Sequence, residues 1–173
     1  RTLMPYQLLA SYHLAISQNE CNFSVPGSGK TTTVLAAFEY LRKCASAQKH
    51  VDYLLVVGPL SSFISWKDEY FECFGKIPNT LEIRGGVKEE TVRKQLISST
   101  VDVDLILISY GSLVSKLETL KSFLSDKRTM VVLDEAHRMF NALNSSLISR
   151  NAEAKLANNT TFSPSLDTTL KHS

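Results

Sequence analysis

Residues 24–31, Ser24-Val25-Pro26-Gly27-Ser28-Gly29-Lys30-Thr31, decide how this chain is read. Two glycines bracket a serine, and a lysine and a hydroxyl follow at once. Glycine tolerates positive φ, so the backbone can turn consecutive N–H groups inward as a nest for an anion. A helix that starts directly after such a turn adds its N-terminal partial positive charge. In that setting Lys30 would meet the β- and γ-phosphates of a nucleotide and the Thr31 hydroxyl would hold Mg²⁺, with Pro26, Gly27, Ser28, Gly29 and Thr32 completing the cradle. The full G-x-x-x-x-G-K-[ST] spacing places a glycine at position 24, where this chain has Ser24. Glycine-rich turns followed by lysine also arise by chance, so the flanking segments carry the decision.

Those flanks have the required form. The short run Cys21 to Val25 reads as a buried strand ending at Pro26-Gly27. A helix from Thr31 to about Cys44 follows, with Val34, Leu35, Phe38 and Leu41 on one face. Upstream, residues 5–18 read as a helix with Pro5 in its first turn and Leu8, Leu9, Tyr12 and Ile16 at helical spacing. Downstream, apolar runs alternate with amphipathic stretches. Strands are predicted at Tyr53 to Val57, Thr80 to Ile83, Leu105 to Ile108 and Met130 to Leu133, the last two as central parallel strands. Helices are predicted from about Ser61 to Phe74, from Lys88 to Ser98 and from Gly111 to Ser125, the last with Leu113, Leu117, Leu120 and Leu124 at helical spacing. Strand and helix in alternation imply an α/β fold, a mostly parallel sheet with helices on both faces.

Composition agrees. The chain has 173 residues, 19 Lys+Arg against 17 Asp+Glu, and a hydrophobic share of 43%. One domain of this length buries roughly 70% of the surface its unfolded form exposes and needs no staple. Cys21, Cys44 and Cys73 lie far apart without C-x-x-C spacing, so neither a disulfide framework nor a zinc knuckle is indicated, and they read as apolar core residues. A reducing, intracellular setting, cytoplasmic or nuclear, is the expectation. No apolar run approaches the roughly 18 residues of a membrane span, and the opening at Arg1 is what a piece of a longer chain would show. The sequence pI of about 8.4 permits nucleic acid without arguing for it. Residues 142–173, rich in Asn, Ser, Thr and Ala, read as a polar tail, truncated or disordered, behind a domain at residues 1–141.

The second motif is Asp134-Glu135-Ala136-His137, at the carboxyl end of the run from Thr129 to Leu133. Ligands of open α/β sheets bind at that end of the strands. Asp134 there would share the Mg²⁺ with Thr31, and Glu135 would polarise a water for in-line attack on the γ-phosphate. If the pair extends the strand, the two carboxylates point to opposite sides, one for metal and one for water. Alone, such a pair also reads as a solvated helix cap.

Taken in order, Leu3-Met4-Pro5-Tyr6-Gln7, Gly27-Ser28-Gly29-Lys30-Thr31 and Asp134-Glu135-Ala136-His137-Arg138 resemble the first RecA-like domain of superfamily 2 helicases, Swi/Snf-type DNA translocases in particular. Val56-Val57-Gly58-Pro59-Leu60 followed by Trp66-Lys67-Asp68-Glu69, Ile108-Ser109-Tyr110-Gly111, and Asn141 four positions after His137 carry the same resemblance over roughly residues 3–141. It implies a RecA-like P-loop domain that hydrolyses ATP with Mg²⁺ and moves on double-stranded DNA. It further implies that Gln7 reads the adenine edge, that His137 couples nucleotide state to the next motif, and that Pro59 to Trp66 and Ser109 to Gly111, Tyr110 included, touch the nucleic-acid backbone. A Ser/Thr-Ala/Gly-Thr segment after the acidic box is not recognisable in the tail, and no second RecA-like domain, which would bring an arginine finger, is present in the sequence. The chain alone is therefore expected to bind ATP and turn it over slowly.

Other readings stand beside this one. A degenerate or truncated nucleotide-binding module without turnover would keep the glycine loop, an RNA helicase lobe would share most motifs, and a small-molecule kinase would need an acceptor lid that the sequence does not offer. Trp66, with Phe63, Tyr70 and Phe71 nearby, reads as packing more than as a stacking platform. Lys88, Arg93 and Lys94, broken by Glu89 and Glu90, read as a solvated helix face.

Overall fold

Leu54 to Val57 and Leu105 to Ile108 are continuous apolar runs, and each is buried on both sides because successive side chains of a strand point to opposite faces of the sheet. The computed structural model describes residues 2–17, 20, 22, 27–43, 46–98 and 103–136. Its elements run α1 (Pro5–Ile16), α2 (Lys30–Lys43), β1 (Tyr53–Gly58), α3 (Ser62–Phe74), β2 (Thr80–Ile83), α4 (Glu89–Ser98), β3 (Leu105–Ser109), α5 (Tyr110–Ser115), α6 (Leu117–Asp126) and β4 (Thr129–Leu133). The four strands form one parallel sheet in the order β2-β3-β1-β4, with Leu55 opposite both Ile106 and Val131.

Helices cover both faces. Leu54 and Val56 of β1 and Leu105 and Leu107 of β3 pack with Val34, Leu35 and Phe38 of α2 and Phe63, Trp66 and Tyr70 of α3. The alternate residues, Leu55, Val57, Ile106 and Ile108, pack with Val92 and Leu96 of α4, Tyr110 of α5 and Leu120 and Phe123 of α6. Each fully buried Leu or Phe in these layers contributes about 1.5–3 kcal/mol of transfer free energy. This is the α/β arrangement that the alternation of runs implied, and it is RecA-like. Gly75, at φ +69°, ends α3 by donating its N–H to the Phe71 carbonyl at 2.8 Å. Among the described residues no helix is long and apolar enough to cross a membrane.

Two details differ from the sequence reading. The stripe of α1 is turned around: Leu8, Leu9, Tyr12 and Ile16 are exposed, and Gln7, Ser11 and Ala15 face inward. The inward face is polar because it carries hydrogen bonds: Ser11 Oγ donates to the Gln7 carbonyl, 2.7 Å, and to the Thr33 carbonyl of α2, 3.0 Å. The single helix expected from Gly111 to Ser125 is two, broken at Lys116 (φ −121°, ψ 19°). The break re-aims the buried face, so Leu120 and Phe123 enter the core while Leu117 and Leu124 stay exposed. Among the described residues β4 is an edge strand, with Val131 and Leu133 each 45% exposed. The predicted strand at Cys21 to Val25 and the tail at 142–173 lie outside the described residues.

Candidate nucleotide and metal site

The loop before α2 has the backbone the motif requires. Gly27 and Gly29 sit at φ +80° and +77°, in the left-handed region that glycine enters without steric cost. α2 begins at Lys30, and its first N–H with a carbonyl four residues back is that of Thr33, bonded to Gly29 O at 3.0 Å. The N–H groups before it are those that a helix N-terminus offers to an anion. Thr33 Oγ1 donates to the same Gly29 carbonyl, 3.0 Å, and tightens the turn.

α1 holds the loop from the other side. Gln7 is buried; its Nε2 donates to the Ser28 carbonyl at 3.1 Å, and its Oε1 accepts the Met4 N–H at 3.0 Å. The Tyr6 hydroxyl also donates to Ser28 O, 3.2 Å. A Cβ on Gly29 would overlap Gln7 Nε2, so a larger residue here would displace that amide in addition to meeting the cost of positive φ. Ser28 Oγ is buried and has no hydrogen-bond partner among the described residues. An unsatisfied buried hydroxyl costs about 1–3 kcal/mol. Here it lies in a glycine turn at a helix N-terminus, and the residues present fit a bound phosphate. Lys30 is exposed and Thr31 half-buried at the helix start.

At the carboxyl edge of the sheet the arrangement is different. β4 ends at Leu133, and the Asp134 N–H extends the pairing by one bond to Val57 O, 2.8 Å. The Tyr110 hydroxyl of α5 donates to the Asp134 carbonyl. Trp66 Nε1 of α3 donates to Asp134 Oδ2 at 3.0 Å. Gly58, at the end of β1, leaves no room between them: a Cβ there would lie 3.0 Å from Ser62 Oγ and 3.2 Å from Asp134 Cβ. The chain then turns instead of extending. Glu135 takes φ +54° and is exposed, so the opposite-facing geometry of an extended pair does not apply, and a left-handed turn separates the two carboxylates. Non-glycine residues in that region cost on the order of 1–3 kcal/mol and cluster at functional sites.

The remaining site residues divide. Trp66 is 3% exposed and Tyr110 is 7% exposed. Their rings are core residues with no face open to a base or sugar, and their polar atoms serve Asp134. Pro59 follows β1 and Ser109 ends β3, in register where Gly58 pairs Ser109, so both segments lie at the same end of the sheet as Asp134. Ser62 Oγ donates to Pro59 O at 2.9 Å, and Ser109 Oγ caps α5 by accepting the Ser112 N–H at 3.3 Å. Thr32 is buried and donates to Glu69 of α3. Pro26, His137 and Asn141 lie outside the described residues. Lys88, Arg93 and Lys94 are exposed, with Arg93 and Lys94 paired to Glu90, as a solvated face requires. Of these arrangements, the clamp on Asp134 by Trp66 and Tyr110 was missed by sequence reasoning, because its members are 68 and 24 positions from Asp134.

A second polar cluster lies away from this edge. Asp104 accepts from Tyr70 Oη (2.9 Å), Lys76 Nζ (2.8 Å) and the Asn79 N–H (2.9 Å). Burial alone would raise the Asp104 carboxyl, but the bonds from Lys76, Asn79 and Tyr70 outweigh it and hold it below its ordinary value. Tyr70 is pushed up by burial and then by the Asp104 carboxylate. The cluster ties the end of α3 to the start of β3.

A family model described as type III restriction enzyme, res subunit, matches residues 2–162. The chain is 27% identical over 145 residues to the Caenorhabditis elegans SWI/SNF-related matrix-associated actin-dependent regulator of chromatin subfamily A containing DEAD/H box 1 homolog, covering 81% of this chain and 14% of that protein. It is 28% identical over 124 residues to the DNA repair and recombination protein RAD54-like of Drosophila persimilis, and 29% over 123 residues to that of Drosophila erecta, covering 68% of this chain in each case. The chain spans 14–16% of the length of these relatives.

Proposed function

We propose, from the premise that this chain belongs to the type III restriction enzyme res-subunit family of helicase-like proteins, that it is the ATP-binding lobe of a superfamily 2 DNA-dependent ATPase that couples ATP hydrolysis to movement on double-stranded DNA. The observation that carries the reading is the loop at residues 27–31: two glycines at positive φ, a buried Ser28 hydroxyl without a partner, and a helix that begins at Lys30.

The roles follow from the chemistry of the groups. The loop N–H groups and Lys30 bind the phosphates of ATP, and Gln7, whose second amide N–H has no partner among the described residues, takes the adenine edge. Thr31 and Asp134 would hold Mg²⁺, which when bound neutralises charge on the β- and γ-phosphates. Glu135 accepts the proton of the attacking water, and His137 relays nucleotide state. Trp66 and Tyr110 act behind the site, leaving Pro59 and Ser109 as the contacts with the nucleic-acid backbone. A second RecA-like domain would bring an arginine cation to the γ-phosphate, a contribution of about 10³-fold or more in turnover. The names of the chromatin and repair relatives support a DNA substrate and a nuclear setting.

Two measurements on the chain test this. Fluorescent ATP should bind in an anisotropy titration and be lost in Lys30→Ala, with slow turnover; no binding by the native chain contradicts the reading. Duplex DNA should bind with an affinity that falls linearly in log–log against salt, and a salt-independent or absent interaction removes the DNA part.

A further inference from the structure

One face of α3 touches both halves of the site. Trp66 and Glu69 are three residues apart, hence neighbours on the helix surface. Trp66 Nε1 donates to Asp134 Oδ2 at 3.0 Å, and Glu69 Oε1 accepts the hydroxyl of Thr32, the residue after Thr31. Asp134 Oδ1 accepts no hydrogen bond among the described residues. The indole is locked in the core, packed with Val34, Phe38 and Tyr70, so its N–H cannot swing away from the carboxylate without moving α3. Gly58 closes the remaining side of Asp134, and Tyr110 holds its backbone carbonyl.

We propose that Trp66 and Glu69 are positioning residues for the metal: Trp66 occupies one oxygen of Asp134 so that the other is presented to Mg²⁺, and Glu69 sets the start of α2 that carries Thr31. The proposal rests on the nucleotide reading above and adds to it a bracket on a third element. A carboxylate with one oxygen already spent on a rigid donor has its orientation fixed before the metal arrives, and outer partners of this kind are worth about 10–100-fold in metal affinity.

Trp66 is also the sole tryptophan of the chain, so the bracket carries its own spectroscopic probe. The experiment uses the full chain saturated with ATP, with nucleotide binding followed independently by a fluorescent ATP analogue. Adding Mg²⁺ to the ATP complex should change the Trp66 emission, and ATP in EDTA should not. In Trp66→Phe, which keeps an aromatic ring and removes the N–H, the Mg²⁺ midpoint should rise about tenfold while the affinity for metal-free ATP stays within about twofold. Glu69→Ala should raise the same midpoint, and Glu69→Gln, which keeps an acceptor, should restore it. ATP binding with Mg²⁺-insensitive emission, or an unchanged midpoint in Trp66→Phe, overturns the positioning role and leaves the nucleotide reading standing. Absence of ATP binding in any state overturns both.

Discussion

Asp134 is gripped by groups from β1, α3 and α5, whereas the glycine loop at residues 27–29 is touched by α1 and leaves a buried hydroxyl without a partner among the described residues. The acidic half is finished by the protein itself: its carboxylate has a fixed orientation before anything binds. The proposed phosphate half is held in shape by two positive φ angles and by hydrogen bonds from Tyr6, Gln7 and Thr33, with the Ser28 hydroxyl left for an anion. This division suits the proposed ATP-hydrolysing lobe. A metal ligand must be placed to within a fraction of an ångström, while a loop of N–H donors gains its energy only when phosphate displaces water.

The comparison can be broken from either side. The largest effect belongs to the acidic half: Trp66→Ala removes a core ring and the donor to Asp134 together, and should cost about 3–5 kcal/mol in urea unfolding. Lys30→Ala should do the opposite, leaving stability within about 0.5 kcal/mol because the side chain is exposed, while nucleotide affinity falls by about 2–3 kcal/mol, roughly 30- to 150-fold, in an anisotropy titration. If Lys30→Ala destabilised as much as Trp66→Ala, the two halves would not be built differently. Within the loop, Gly29→Ala should cost about 2 kcal/mol and Gly27→Ala about 1 kcal/mol in thermal unfolding, because both pay for positive φ but a Cβ at 27 meets open space and one at 29 meets Gln7. Equal costs would remove Gln7 as the support of the loop.

The smallest effect serves as a control outside both halves. Tyr70→Phe should lose about 1 kcal/mol of stability with no change in nucleotide affinity. The folded Asp104 carboxyl lies below its ordinary 3.8, so its contribution to stability is present above pH 3.8 and is lost as pH falls through the lower, folded value. Glu82 behaves alike: the hydrogen bond from Lys67 outweighs burial and lowers it. Acid unfolding followed by circular dichroism should therefore set in as pH falls into the ordinary carboxylate range and deepen below it, and an onset near neutral pH would contradict this assignment.

Much of the fold was legible because strands of a two-sided parallel sheet are short apolar runs and little else. Tyr53 to Val57 and Leu105 to Ile108 announced themselves by composition. What stayed hidden was orientation. In α1 the leucines that define the stripe face outward, since the inner face is occupied by Gln7 and Ser11, whose hydrogen bonds to Ser28 and Thr33 cannot be read from periodicity. The break at Lys116 was hidden for a similar reason: the sequence there has helix formers on both sides and no glycine or proline to mark it. In the site, the glycine loop was legible from spacing and Asp134 from its place after a strand. The turn at Glu135 and the clamp from Trp66 were not, because each depends on where separate elements meet after folding.

The central claim is that the loop at residues 27–31 is a working nucleotide site, and the most direct test is the thermal midpoint of the chain with and without saturating Mg·ATP, with Lys30→Ala and Glu135→Gln measured alongside. At about 100 times Kd, ligand adds roughly 2.7 kcal/mol, a rise of several degrees for a domain of this size. The account predicts that rise in the native chain and in Glu135→Gln and none in Lys30→Ala; an unchanged midpoint in the native chain, or an equal rise in Lys30→Ala, would contradict it.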